Sequence, residues 1–194
     1  MEKVFNGENR VVSFDSEELI LVDQNDVETG HLNKAACHDG DGILHRAFSL
    51  FIFDDDGQLL LQQRSAQKRL WPLYWSNSCC SHPRRGEQIE EAIHRRLEQE
   101  LGMRSELEFL YKFRYHAPFG DKGSEHELCW VYAGHSADKP RTNSNEIADW
   151  RFVSPDDLDR ELAENPNRFT PWIKLEWARI QDEFAGTITT YNGL

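Results

Sequence analysis

Between Glu87 and Leu101 the apolar residues Ile89, Ala92, Ile93, Leu97 and Leu101 recur at steps of three and four, and Gly102 follows as a stop. This spacing predicts an amphipathic helix whose apolar stripe must be buried against another element. Its surroundings read as strands: Leu19–Val22 and Ala47–Phe53 upstream, then 107–116, 128–133 and 149–153 downstream. Asp54-Asp55-Asp56-Gly57 leads from Phe53 into Gln58–Gln63, which predicts a hairpin. The stretch from Ser65 to Pro83 mixes aromatics, prolines, serines and asparagine, and predicts an irregular, functional segment. Ser154-Pro155-Asp156-Asp157 supplies a cap, a first-turn proline and first-turn acids for a helix to about Ala163. A last amphipathic helix, Pro171 to Phe184, is predicted to bury Trp172, Leu175 and Ile180. With no internal repeat and no linker, this order predicts one α/β domain over 1–194, with its core at about 18–184. Its mixed sheet is sandwiched between helices.

The 194 residues carry a net charge of −12, which argues against nucleic-acid or anionic-membrane partners, since both need a cationic face. The charge is uneven: residues 1–63 sum to −9, 64–104 to +3 and 105–194 to −6. No apolar run approaches the roughly 18 residues of a membrane span. Met1–Asn6 lacks the basic-then-apolar pattern of a signal peptide. Cys37, Cys79, Cys80 and Cys129 show no zinc-ribbon spacing, and adjacent Cys79 and Cys80 are badly placed to pair. Reduced thiols and a cytoplasmic location are the expectation.

Two groups of residues can carry chemistry. In a strand, Glu125 and Glu127 project from one face and His126 from the other. His38, His45 and His82 lie in loop or strand-entry contexts, and three imidazoles with two carboxylates make a mixed N/O donor set for Mn²⁺, Mg²⁺ or Zn²⁺. On spacing alone a solvated Glu-x-Glu face and idle surface histidines account for the same residues. His31, His94, His116, His126 and His135 read as structural or surface residues.

The 87–101 helix carries a second signal. Ser81, Glu87, Arg95, Arg96, Gln99, Glu100 and Gly102 fall on the spacing of the Nudix box, whose glutamates hold Mg²⁺ against a diphosphate. Ser81, Arg96 and Gln99 depart from it. Two of three usual carboxylates are absent, which weakens the cluster that activates water for hydrolysis.

Taken in order, the motifs are more specific. They run through Lys34-Ala35-Ala36-Cys37-His38, Leu44-His45-Arg46-Ala47-Phe48-Ser49 and Gln63-Arg64-Ser65-Ala66-Gln67-Lys68, then through Trp71-Pro72-Leu73-Tyr74-Trp75-Ser76-Asn77-Ser78-Cys79-Cys80-Ser81-His82-Pro83. Arg95-Arg96, Glu100-Leu101-Gly102, Phe113-Arg114-Tyr115, Glu125-His126-Glu127 and Thr170-Pro171-Trp172 complete the series. Over about 18–180 the chain resembles the type 1 isopentenyl diphosphate isomerases, a Nudix branch.

The resemblance implies interconversion of isopentenyl and dimethylallyl diphosphate by an allylic proton shift. By the same resemblance, His38, His45, His82, Glu125 and Glu127 match the ligands of a divalent metal, and Cys80 the catalytic thiol. Glu127 matches the second acid–base residue and Tyr115 its hydroxyl partner. Glu100, with the Cys80 backbone, matches the site of a second Mg²⁺ that arrives with the diphosphate. Lys34, Arg64, Lys68 and Arg96 match diphosphate-contacting cations, and Trp172 the aromatic wall. A monomer acting on a small diphosphate is expected. The rival readings are a Nudix pyrophosphohydrolase, against which Arg96, Gln99 and Cys80 argue, and a Nudix-like binding module without turnover.

Overall fold

The computed structural model describes residues 10–189 and Tyr191. Met1–Asn6, on which the signal-peptide reading rests, lie outside the described residues. The strands are β1 (Glu18–Val22), β2 (Glu28–Asn33), β3 (His45–Phe53), β4 (Leu59–Arg64), β5 (Trp75–Ser76), β6 (Cys79–Ser81), β7 (Leu107–Pro118), β8 (Ser124–His135) and β9 (Ile147–Val153). The helices are α1 (Lys34–Cys37), α2 (Ile89–Leu101), α3 (Pro155–Glu164), α4 (Pro171–Glu183) and α5 (Ala185–Thr189).

All nine strands join one mixed sheet, and β3 organises it. Along one edge β3 runs parallel to β8 from His45↔Glu127 to Phe53↔His135. Along the other it meets β1 at His45, β6 at Phe48–Leu50 and β4 at Phe53. A strand buried at every position but Arg46, RAFSLFIF after His45, is what such two-sided pairing requires.

The layers are those expected. Ile89, Ala92, Ile93, Leu97 and Leu101 of α2 pack on one face with Phe48, Leu50 and Ile52. On the other face Leu158 of α3 and Trp172, Ile173, Trp177 and Ile180 of α4 pack with Phe51, Phe53 and Leu61. Helix α2 ends at Gly102, at φ 60°, where a side chain would be strained and would press on Arg141. Ser154 caps α3 by accepting from the Asp157 amide.

The expected hairpin is present at Phe53 and Leu59 and is one pair deep, because β4 leaves β3 to pair with β9 over Leu59–Val153 to Arg64–Ile147. Two expectations change. The segment 65–83 is not wholly irregular, since it contains β5 and β6. In α4 the buried face is Trp172, Ile173, Glu176, Trp177 and Ile180, while Leu175 is 53% exposed. The helix turns a leucine outward and a glutamate inward.

Candidate active site and metal centre

The pairing around β3 assembles the site. Ser49 of β3 lies opposite Cys80 of β6, and His45 opposite Glu127 of β8, so one strand sits between the Cys80 and Glu127 strands. On β7, Tyr115 lies opposite Glu127 and donates to its Oε2 at 2.6 Å. The turn before β8 needs Gly123: at φ 131°, a Cβ there would meet the His38 carbonyl at 2.1 Å. That closeness lets Ser124 donate its amide to the same carbonyl and tethers β8 to the His38 loop.

His38, His45, His82, Glu125 and Glu127 each present one donor atom, all within 4.8 Å of one another. His38 Nδ1 faces the Lys34 carbonyl and His45 Nδ1 the Ile43 carbonyl, both at 2.7 Å. A carbonyl only accepts, so each Nδ1 carries a proton and each Nε2 is the atom turned to the centre. Two buried atoms there, His45 Nε2 and Glu125 Oε2, have no hydrogen-bond partner, although His38 Nε2 lies 2.8 Å from that carboxylate oxygen. Burial and the neighbouring His38 lower His45 to about 4, which keeps its imidazole neutral. Burial also pushes Glu125 up, but His38 more than offsets it and holds the carboxyl low. Burial, then the Glu125 charge, raises Glu127. Three converging imidazoles, two carboxylates and orphaned inward-facing atoms fit a divalent cation.

A cleft of about 260 Å³ adjoins this cluster, lined by Lys34, His38, Arg64, Lys68, Cys80, Ser81, His82, Arg96, Tyr115, Glu125, Glu127 and Trp172 among others. Burial and the nearby Lys68 and Arg96 lower Lys34 to about 8, as cations gathered for an anion require. Arg64 donates to the Leu70 and Trp71 carbonyls and lies 5.2 Å over the Trp172 ring. Trp172 is fixed in turn by donating to Ser76 Oγ at 2.9 Å.

Cys80 is held by donating to Asn77 Oδ1 at 2.8 Å, and Asn77 is tied to the Leu50 and Cys79 carbonyls through its amide. Burial, then Glu176, pushes the Cys80 thiol up. Ser81 continues β6 opposite Phe48 without a positive φ, so nothing in its backbone calls for glycine. Cys79 is wholly buried among the α2-side apolar residues. All four cysteines are free.

The structure therefore brings together every site residue expected from the sequence except Glu100, which is buried away from the cleft lining. Its Oε1 accepts from Arg96 at 2.5 Å and 2.9 Å. Two carboxylates were missed. Glu146 pairs with Lys68 and lies 3.3 Å from Arg96, inside the cleft wall. Glu176 is fully buried against β8, its Oε1 accepting from Cys129 Sγ at 3.6 Å. Neither sits in a motif, and neither had a spacing signal.

Glu176 makes stability depend on pH. Burial raises its carboxyl from 4.5 to about 7, against weak opposition from Ser49 and Cys129. Its neighbours are Cys129 and Glu127 of β8, Tyr111 of β7 and Cys80 of β6, with Arg179 a turn along α4, stacked on Tyr111. The folded state holds this proton more tightly than the unfolded one, so the contribution is complete below pH 4.5 and is lost as pH rises toward 7. Relative to Glu176→Gln, the wild type is expected to lose about 3 kcal/mol between pH 4 and pH 8. Urea unfolding of both proteins across that range measures it; parallel stability curves would place the ionisation elsewhere.

A NUDIX domain family model matches residues 43–173. Among curated proteins, the chain is 44% identical over 166 residues to isopentenyl-diphosphate Delta-isomerase 1 of Photorhabdus laumondii, covering 84% of this chain and 94% of that one. It is 41% identical to the isopentenyl-diphosphate Delta-isomerase of Pectobacterium atrosepticum, covering 85% and 92%. Among solved structures, DR0079 of Deinococcus radiodurans superposes with a TM-score of 0.64 at 25% identity, covering 77% of this chain and 90% of that one. The MutT protein of Methanosarcina mazei gives 0.60 at 16%, covering 72% and 94%, a likeness of fold alone.

Proposed function

The chain belongs to the Nudix-domain isopentenyl-diphosphate Delta-isomerases, and on that premise we propose that it converts isopentenyl to dimethylallyl diphosphate by proton exchange at Cys80 and Glu127. The observation that carries the reading is one cleft lined by both acid–base groups, the indole of Trp172 and a cluster of cations. Moving hydrogen across an unactivated alkene requires one group to give a proton to a terminal carbon and another to take one from the internal carbon. Between those events a tertiary cation must survive without meeting water.

The residues divide that work. Glu127, its proton exchange aided by the Tyr115 hydroxyl, serves one end of the allylic system, and the Cys80 sulfur serves the other. The Trp172 ring offers the cation a π face worth about 0.5–2 kcal/mol. Lys34, Lys68, Arg64 and Arg96 hold the diphosphate, the lysines as point charges and the arginines as forked donors. That anchoring fixes the reacting carbons against the two residues. His38, His45, His82, Glu125 and Glu127 would hold Mn²⁺, Mg²⁺ or Zn²⁺, and Glu100 with the Cys80 backbone would meet Mg²⁺ brought by the diphosphate. A cation bound to Glu127 supplies positive charge that makes its proton more available. Glu100 must leave Arg96 to play that part.

We assign the activity to a monomer working on a small diphosphate. No described helix is long and apolar enough to cross a membrane, and the free thiols suit a reducing compartment such as the cytoplasm.

Incubation with isopentenyl diphosphate and Mg²⁺ is expected to yield dimethylallyl diphosphate. Release of inorganic phosphate instead would establish the pyrophosphohydrolase, and binding with no product the non-catalytic module. Cys79→Ala is expected to leave kcat within about twofold of wild type, since that side chain faces the α2 core. A severe loss in that variant would move the catalytic thiol by one position.

A further inference from the structure

Glu146 is a carboxylate set among groups that would receive an anion. It is 3% exposed and lines the cleft beside Lys34, Lys68 and Arg96. It has no part in the proton exchange, and a buried acid in such a pocket is unfavourable unless the cations need it. Its Oε2 accepts from Lys68 Nζ, and Arg96 Nη2 lies 3.3 Å from the same oxygen. One oxygen therefore joins an ammonium on the loop after β4 to a guanidinium on α2. Burial pushes Glu146 up, but Lys68 and then Arg96 more than offset it and bring the carboxyl to about 2, so it stays an anion. Its backbone is placed as firmly as its side chain. The Glu146 amide donates to the Asn143 carbonyl at 2.9 Å, and the Asn143 amide to the Glu100 carbonyl of α2 at 2.9 Å. The Glu146 carbonyl accepts from the Ser65 amide at 2.9 Å, and the Ser65 carbonyl from the Lys68 amide at 3.1 Å. Main chain and side chain of one residue thus fix where the Lys68 loop begins and where its ammonium ends.

From this placement, and resting on the isomerase reading above, we propose that Glu146 is a positioning residue for the substrate's diphosphate: it holds Lys68, and to a lesser degree Arg96, at the cleft wall before the substrate arrives. The need for it follows from electrostatics. Lys34, Lys68 and Arg96 repel one another, and that repulsion adds to burial in lowering Lys34. Lys68 carries its charge on a flexible four-carbon stem with a side chain 21% exposed. Without an anion to hold it, that ammonium would turn toward solvent in the empty cleft, and the substrate would have to recruit it at the cost of its rotamer freedom. Glu146 engages one of its three hydrogens and leaves two for phosphate oxygens. Arg96 depends on Glu146 less, because Glu100 Oε1 already accepts from its Nε at 2.9 Å and its Nη2 at 2.5 Å. The negative charge of Glu146 opposes the diphosphate only weakly, since two cations contact it directly.

Glu146→Gln keeps the shape and removes the charge. Wild type and variant are to be measured for KM and kcat on isopentenyl diphosphate and, by calorimetry, for affinity toward inorganic diphosphate. The substitution is expected to raise KM and weaken inorganic diphosphate by about tenfold each, with kcat within about twofold of wild type, because the carbons still meet Cys80 and Glu127. In a Lys68→Met background the same substitution should change KM by less than about threefold, since the group it places is gone. Unchanged diphosphate affinity in Glu146→Gln overturns the assignment, and so does tighter binding, which marks Glu146 as a competitor of the ligand. A loss in kcat with KM unchanged overturns it too, as does an undiminished effect in Lys68→Met, which marks a packing role. Should Glu146→Gln fail to fold, Glu146→Asp, which keeps the charge and draws it back by one methylene, is read by the same criteria with a KM rise of about threefold expected. If the wild type binds inorganic diphosphate but forms no dimethylallyl diphosphate, it is the isomerase reading that has failed, and the two diphosphate affinities still decide the part of Glu146.

Discussion

Cys80→Ala is expected to lower kcat for isomerisation by about 10³-fold or more. Nothing nearby can take over. Cys79 is buried against α2 on the other face of the sheet, Ser49 and Ser76 offer hydroxyls that are poorer proton carriers, and Cys129 is enclosed behind Ser49. The fold should survive, because the loss is a single sulfur at the edge of a cleft, an effect of about 1 kcal/mol. Asn77, whose Oδ1 accepts from the thiol, remains anchored through its amide to the Leu50 and Cys79 carbonyls, so the β5–β6 segment keeps its course. The cations proposed to hold the diphosphate lie on other elements, so inorganic diphosphate should bind Cys80→Ala as it binds wild type. Competition against substrate and a direct rate measurement test both halves. Turnover near the wild-type level would remove the thiol from the chemistry, and lost diphosphate binding would show that the substitution had disturbed the cleft itself.

The sequence revealed most about those parts of the site whose chemistry is encoded in short, ordered motifs. Cys80 and His82 are two residues apart, as are Glu125 and Glu127, and strand periodicity alone puts the latter pair on one face. The helix α2 was legible because its apolar stripe and its terminal glycine agree. The hairpin turn after Phe53 is legible and present, but a turn signal fixes where a chain reverses and not which strand it joins afterwards, and β4 goes on to pair with β9. Glu146 and Glu176 escaped for a different reason. A charged residue in a loop, or beside a leucine on a helix, is ordinarily solvated, and only tertiary packing reveals that one faces Lys68 and Arg96 and the other faces Cys129. In α4 the apolar pattern admits two rotations about one residue apart, and the burial of Trp172 and Trp177 together selects the one that carries Glu176 inward. Glu100 shows the reverse case, since its place on α2 is legible from the helical spacing but its engagement by Arg96, four residues earlier, is not.

Glu127→Gln should be as damaging as the loss of Cys80, and for two separable reasons. The amide cannot exchange a proton with substrate, which removes about 10³-fold or more of the rate. It also replaces an anionic donor that lies 2.8 Å from His82 Nε2 and 3.7 Å from His45 Nε2, and so should weaken divalent-metal affinity by about tenfold or more. Tyr115→Phe separates these effects, because it removes the 2.6 Å hydrogen bond to Glu127 and leaves all five donor atoms in place. That variant should retain bound metal while losing about tenfold in kcat. Metal content after dialysis and isomerisation rates, measured on both variants, give the comparison. If Glu127→Gln kept full metal and lost only rate, the carboxylate would act on substrate without being needed as a ligand. If it regained near-normal turnover when saturated with metal, Glu127 would be a ligand only, and the second acid–base group would have to be sought elsewhere in the cleft.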